Sequence, residues 1–231
     1  MTITNKPQQT PGKTWRQAAG VFHDRAAEYD SWYDDSLLFN IELAALLAVS
    51  PSLHTPKLEI GAGPGRFAGE LGVTVGVDPA LAALQLGNRR GIMGTAGIGE
   101  QLPIRSDAIG TVFLLFTLCF LIRPEEVLQE CARVLRKNGR LVIGLIPKNS
   151  AWGKMLDRKR REGHAYYKYA HFISIWEATN MLTQCGFSVT DARSTLFQPP
   201  EELRQLETPK TGINEQAGFC VLVAEKKKTP L

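Results

Sequence analysis

The sequence predicts an α/β fold: a doubly wound, mostly parallel seven-stranded sheet with an antiparallel hairpin at its C-terminal edge. Three observations carry that reading. Short apolar runs alternate with helical patterns between residues 57 and 146, the order that gives a parallel sheet with helices on both faces. The run 112–116 is apolar at every position, so it belongs in the middle of a sheet covered on both sides. The last two runs, 187–192 and 217–224, have no helical pattern between them, which makes them an antiparallel pair.

The elements follow in order. Phe22, Ala26 and Tyr29 recur at helical spacing within 15–33, a short amphipathic helix. Asp35 or Ser36 caps a second helix over 37–49, with Leu38, Ile41, Ala45 and Leu46 on one face, and Pro51 ends it. A first strand over 57–60 runs into Gly61-Ala62-Gly63-Pro64-Gly65. A short helix over 66–72 leads to a second strand over 74–77, which ends at Asp78-Pro79. The next helix starts at Ala80 and is broken by Gly87 and Gly91. Residues 92–93 form a brief third strand, after which Gly94, Gly97 and Gly99 mark a loop. The fourth strand is 112–116. Pro124 at the first helical position, Glu125 and Glu126 in the first turn, Arg136 and Lys137 in the last and Gly139 as cap define the next helix. A fifth strand over 141–146, a polar and aromatic stretch, and a helix over 174–185 complete the pattern before the final pair.

Composition narrows the class. The chain has 231 residues, 44% of them apolar and 22% charged, which fits one soluble domain with extensions and excludes a disordered or fibrous chain. A formal charge of +4 is too small to imply nucleic acid. Cys119, Cys131, Cys185 and Cys220 form no C-x-x-C pair, so separate thiols in a reducing cytoplasm are expected rather than a zinc ribbon or disulfide framework. The polar N-terminus has no apolar segment of signal-peptide type. The longest apolar run, 111–122, is shorter than the roughly 20 residues of a membrane span.

In a doubly wound sheet the ligand lies beyond the carboxyl ends of the strands, at the topological switch point. Glu59, Gly61, Gly63 and Gly65 stand there, with Asp78 at the tip of the second strand. Glycine lets the main chain bend and approach a ligand closely. A carboxylate at Asp78 can accept hydrogen bonds from both hydroxyls of a ribose. The dinucleotide fingerprint G-x-G-x-x-G would need its third glycine where Arg66 stands. The pattern here is Glu-x-Gly-x-Gly-x-Gly, which resembles the first motif of class I S-adenosylmethionine-dependent methyltransferases.

The resemblance extends over about residues 20–225. Gly97-Ile98-Gly99-Glu100-Gln101-Leu102-Pro103 is similar to the G-D-A-E-x-L-P stretch of the small-molecule branch, with its type 11 methyltransferase domain, which includes the ubiquinone and menaquinone C-methyltransferases. Arg133-Val134-Leu135-Arg136-Lys137-Asn138-Gly139 resembles the family's R-V-L-K-P-G-G. Residues 22–32, F-H-D-R-A-A-E-Y-D-S-W, resemble its N-terminal F-D-x-x-A-x-x-Y-D-x-W, and L-T-Q-C-G-F over 182–187 its L-x-x-A-G-F. Five motifs in the right order make a specific signal.

The resemblance implies a Rossmann-like fold, S-adenosylmethionine as methyl donor with S-adenosylhomocysteine as product, and in-line transfer to a small-molecule acceptor. It implies that Gly61, Ala62, Gly63 and Gly65 face the methionine part of the donor, that Glu59 organises its ammonium group and that Asp78 holds the ribose. Pro79 and Ala80 would lie against the adenine, with Ile98 and Gly99 at its edge. Phe116 and Thr117 would line the route to the acceptor, and Tyr29 would close over the methionine end. Two positions depart from the pattern: Ile98 replaces an acid, and Gly110 replaces the acid that often opens the fourth strand. The expected organisation is a flexible tail (1–14), one domain (15–225) with a helical cap (15–50) and an acceptor-covering insertion (147–173), and a charged tail (226–231). No metal, nucleic acid or membrane span is expected, and the chain would be a monomer or homodimer.

Candidate bases are His164, Tyr166, Tyr167 and His171 in the insertion and His23 near the N-terminus. A histidine in a polar loop is more often solvated, so no catalytic residue is assigned. The run Arg158-Lys159-Arg160-Arg161 could meet an anion or a membrane surface; flanking Asp157 and Glu162 favour a solvated helical face. Trp152 and Trp176 could stack on an aromatic acceptor or pack in the core or at its rim. Two other functions fit the sheet: a nicotinamide-dependent oxidoreductase and a non-catalytic S-adenosylmethionine-binding protein.

Overall fold

The computed structural model describes residues 15–227; the expected tail 1–14 and residues 228–231 lie outside them. Its N-terminal part is helical: α1 (Trp15–Asp24), α2 (Ala26–Ser31) and α3 (Leu37–Val49), so the single helix expected near the N-terminus is two. The Ser36 side chain caps α3 by accepting from the Phe39 amide, as its sequence position suggests. The alternation then runs β1 (Lys57–Ile60), α4 (Arg66–Glu70), β2 (Val75–Asp78), α5 (Leu81–Arg89), β3 (Met93–Ala96), β4 (Ile109–Leu115), α6 (Pro124–Val134) and β5 (Leu135–Leu145). After α7 (Ala151–Arg161) and α8 (Ile175–Gln184) come β6 (Phe187–Thr195), β7 (Lys210–Thr211) and β8 (Phe219–Lys226).

These strands form one eight-stranded sheet in the order β3-β2-β1-β4-β5-β8-β6-β7. The first five in that order are parallel, and β8, β6 and β7 are antiparallel. The fold is thus the one expected, with the two-residue β7 added at the edge and β8 inserted between β5 and β6. Alternate residues feed opposite layers. Val112 and Leu114 join the core under α6 and α8, while Phe113 and Leu115 join the core under α3, α4 and α7. Every residue of β4 is buried, as a central strand requires.

Three expectations need correction. α6 ends at Val134, not at a Gly139 cap. Leu135 leaves the helical conformation because its fully buried side chain belongs to the sheet, where it pairs with Ile109. Gly87 does not break α5 but lies inside it. A Cβ there would stand 3.4 Å from the Gly63 carbonyl oxygen, an ordinary contact distance, so this helix packs directly on the loop after β1. Lys226 is no frayed tail: it ends β8, and its Nζ donates to the Ala132 carbonyl at 2.8 Å. The basic run 158–161 lies on α7, where Arg160 and Arg161 pair with Asp157. Among the described residues no helix is long and apolar enough to cross a membrane.

Candidate active site

The sheet order reverses between β1 and β4, and the carboxyl ends of β1, β2 and β4 open there. The loop after β1 is tied to β2: the Gly61 amide donates to the Val77 carbonyl at 2.7 Å. The Gly63 amide donates to Asp78 Oδ2 at 2.8 Å, and the Ala80 amide to Asp78 Oδ1 at 2.7 Å. Gly61, Gly63 and Gly65 all have positive φ, the region that favours glycine. A Cβ on Gly61 would lie 2.3 Å from Thr117 Oγ1, whereas one on Gly63 would meet only the Tyr29 ring, at 3.9 Å. Burial raises the Asp78 carboxyl above the ordinary range, against the pull of the Ala80 and Gly63 amides. Glu59 is raised further, by burial and then by the charge of Asp78, and its Oε2 is buried with no hydrogen-bond partner.

Two adjoining cavities open at this end of the sheet. The first is lined by Gly61, Gly63, Asp78, Pro79, Ile98, Gly99, Phe116, Thr117 and Tyr29. A smaller recess beside it, lined by Glu59, Ala62 and Gly63, is also walled by Tyr29 and Phe116. Of the residues expected at the donor, Gly65 and Ala80 line neither; Gly65 starts α4 and packs against Ile92 and Gly87, and Ala80 is buried with only its amide turned to Asp78. Helix α1 supplies a wall that the motifs did not single out, Trp15, Ala18 and Ala19. The second cavity is aromatic.

Of the candidate acceptor residues, Tyr166 and Tyr167 line the aromatic cavity, and His164 and His171 do not. His164 stacks on Tyr167 with centroids 4.9 Å apart, and burial lowers its pKa below the ordinary value. The backbone amide of His171 donates to the Cys119 carbonyl. His23 lies at the start of α5, where its Nδ1 accepts from the Ala82 amide. Neither tryptophan named for stacking reaches a cavity. Trp152 is core and donates to the Gln198 carbonyl, and Trp176 is 68% exposed on α8. The sequence reading missed Glu42, a buried carboxyl in the aromatic cavity. Its signal was an acid inside the otherwise apolar turn Ile41-Glu42-Leu43-Ala44-Ala45.

Comparison with known proteins decides the family. Residues 58–143 match the model of a methyltransferase domain. A solved structure from Thermotoga maritima, described as an S-adenosylmethionine-dependent methyltransferase and possible histamine N-methyltransferase, superposes with a TM-score of 0.82. It is 30% identical, over 90% of this chain and 99% of that one. The chain belongs to the S-adenosylmethionine-dependent methyltransferases. A protein of uncharacterised function from Mycobacterium tuberculosis is 38% identical over 224 residues, 95% of this methyltransferase and 78% of the relative. A malonyl-[acyl-carrier protein] O-methyltransferase from Methylococcus capsulatus is 30% identical over 152 residues, 58% of this chain and 52% of that one.

The residues present fit S-adenosylmethionine. The orphaned Glu59 Oε2 is an acceptor for an ammonium N–H, and Asp78 is a carboxylate already oriented by two amides. Val77, Pro79 and Ile98 give an apolar slot of the kind an adenine ring needs. The Arg66 that displaces a dinucleotide fingerprint has a structural use: its guanidinium donates to Asp30 at 2.6 Å and to Asp34 at 2.7 Å.

Proposed function

We propose that this methyltransferase acts on a small-molecule acceptor seated in the aromatic cavity, by in-line displacement. The observation that carries the reading is that the loop Gly61–Gly63 and the Asp78 carboxylate, bonded at 2.8 Å, border one cavity whose far wall is shared with the aromatic one. Phe22, Tyr29, Phe116 and Phe120 line both.

In this reading Gly61, Ala62 and Gly63 face the methionine part of the donor and Glu59 takes its ammonium group. Asp78 takes the ribose hydroxyls, and Pro79, Ile98 and Gly99 border the adenine. When bound, S-adenosylmethionine supplies an electrophilic methyl group on a sulfonium. The chain's part is to exclude water and to align the acceptor. Well-oriented groups reach effective molarities on the order of 10⁵ M or more, so alignment supplies much of the acceleration. Phe116 supports that role: it lines both cavities and holds a positive φ of 56° at the end of β4. Such strained main chain clusters at functional sites.

The likeness to the quinone C-methyltransferases rests in part on residues 97–103, of which 97–100 border the donor cavity and none the aromatic one. That stretch therefore bears on the donor and leaves the acceptor atom open. One similar protein is described as acting on an amine and another on an acyl-carrier conjugate, so the cavity itself must discriminate. All four cysteines are free, which supports a reducing, cytoplasmic setting. Calorimetry with S-adenosylmethionine and S-adenosylhomocysteine tests the donor site; folded protein that gives no heat at millimolar ligand would remove it. Isotopically labelled methyl donor with a metabolite extract, followed by mass spectrometry, tests the acceptor.

A further inference from the structure

The aromatic cavity has one acidic group and no basic one. Tyr29, Tyr33, Phe39, Phe116, Tyr167 and Phe172 present rings to it, and Glu42 on α3 is the only acidic or basic side chain in its lining; no Lys, Arg or His lines it among the described residues. Glu42 is 4% exposed, accepts no hydrogen bond and makes no ion pair among the described residues. The other titratable groups facing the cavity are the hydroxyls of Tyr29, Tyr33, Tyr166 and Tyr167 and the thiol of Cys119. Burial is the first cause of a raised pKa in each, so they stay neutral. Tyr33 donates to Tyr29 at 2.7 Å, Tyr166 donates to the Arg25 carbonyl at 3.2 Å, and Cys119 donates to the Phe116 carbonyl at 3.3 Å. Those three donors are engaged elsewhere, while Tyr29 and Tyr167 lie near enough for the charge of Glu42 to help raise them.

A buried carboxyl with no partner is costly to keep, and a leucine at its place in α3 would extend the apolar core. Nothing in the packing of α3 asks for an acid. A group that brings N–H donors and positive charge resolves the cost. The surrounding rings favour the same ligand, because a cation is attracted to aromatic faces. A carboxylate or phosphate acceptor would meet an acid and find no cation.

We propose that the methyl acceptor is a small, largely apolar amine, and that Glu42 both recognises its nitrogen and takes its proton. The proposal rests on the methyltransferase reading above and names the acceptor class for that site. The proton step balances within the pair. Burial raises the Glu42 carboxyl well above its ordinary range, so an arriving ammonium first displaces the carboxyl proton to solvent. Then one N–H bond of the ammonium breaks, one O–H bond forms on a Glu42 oxygen, and the charges +1 and −1 become two neutral groups. The nitrogen recovers the lone pair that a methyl group must meet. A low-dielectric cavity favours that neutral pair over the ion pair, which is why the base belongs inside it.

The test is calorimetry on the full chain in the presence of S-adenosylhomocysteine, with benzylamine, tryptamine, benzyl alcohol and benzoate as probes. The amines should bind at least tenfold more tightly than the alcohol, and benzoate should not bind. In Glu42→Gln amine affinity should fall at least tenfold while S-adenosylhomocysteine affinity stays unchanged and the melting temperature does not fall. Equal binding of amine and alcohol by the natural protein, or unchanged amine binding by E42Q, would overturn the proposal. The order of the four probes on the natural protein decides the matter even if the variant fails to fold. Failure of S-adenosylhomocysteine to bind would instead strike the donor-site reading, so the two failures are distinguishable.

Discussion

Asp78 is where the geometry of the donor cavity is most exposed to a single change. Both of its oxygens already accept a backbone amide, so its orientation is fixed before any ligand arrives. In the proposed reading Asp78→Ala removes charge-assisted bonds to the ribose, worth roughly 1–3 kcal/mol. Calorimetry should therefore show S-adenosylhomocysteine binding weakened about 5- to 150-fold. The neighbouring glycines separate two uses of one residue type. Gly61→Ala puts a Cβ into Thr117, and the variant should lose stability in a thermal melt. Gly63→Ala meets only the Tyr29 ring, at an ordinary contact distance of 3.9 Å, and has only the left-handed backbone cost of roughly 1–2 kcal/mol. It should stay folded and lose ligand affinity, because its methyl group enters the cavity. These residues were legible in the sequence because a glycine bend after a strand and an acid at the next strand tip have fixed spacing. Glu42 was not: it lies among apolar neighbours, and its distinctness appears only when the cavity shows that nothing pairs with it. The histidines His164 and His171 misled for the opposite reason. Their chemistry is suggestive, but chain proximity to a cavity wall does not make a side chain line it.

At the level of elements, α2 is held over the site by charge. Asp30 receives Arg66 from α4 at 2.6 Å and Arg90, the residue that caps α5, at 2.8 Å. Burial pushes the Asp30 carboxyl up, and the hydrogen bonds and charges of Arg66 and Arg90 more than reverse it, so it ends below its ordinary value. A depressed carboxyl binds its proton more weakly when folded than when unfolded. Its stabilisation is therefore present above the ordinary aspartate range, about pH 4, and is lost as pH falls through the depressed value. Asp30→Asn should remove about 1.5 kcal/mol, the low end for bonds to a charged group. Amide hydrogen exchange in α2 should then speed up roughly tenfold at pH 7, with little change in α8, and the gap between variant and natural protein should close below pH 4. The same scale explains why Gly110 departs from the family pattern. A Cβ there would stand 2.5 Å from the Thr55 carbonyl oxygen and 2.6 Å from that of His54, so the loop before β1 occupies the space an acidic side chain would need. Helix starts were legible from Ser36 and Pro124, since caps are local chemistry. The end of α6 was not, because Leu135 answers to a strand partner distant in sequence, and local signals such as Gly139 carry no information about that partner.

The whole molecule places two binding cavities on either side of one set of rings. Phe22, Tyr29, Phe116 and Phe120 wall both, and two of them come from the helical cap while two come from the segment after β4. The alternation of strands and helices made the sheet legible from sequence, but a wall assembled from residues almost a hundred positions apart exists only in three dimensions. Such a wall couples the two sites: filling one cavity orders rings that the other ligand would otherwise have to order. S-adenosylhomocysteine should accordingly raise the affinity of the acceptor probe, and linkage requires the probe to raise S-adenosylhomocysteine affinity by the same factor. The tryptophans allow each event to be followed. Trp15 lines the donor cavity and Trp32 the aromatic one, whereas Trp152 is core and Trp176 lies exposed on α8. Titration with S-adenosylhomocysteine should change the intrinsic fluorescence, Trp15→Phe should abolish most of that change, and Trp176→Phe should leave it intact. Titrating benzylamine into protein with and without S-adenosylhomocysteine then measures the coupling through Trp32. A factor of several-fold, equal in both orders of addition, is the expected outcome. A factor of one would mean that the four rings are already fixed in the free protein and that the cap holds the wall without help from either ligand.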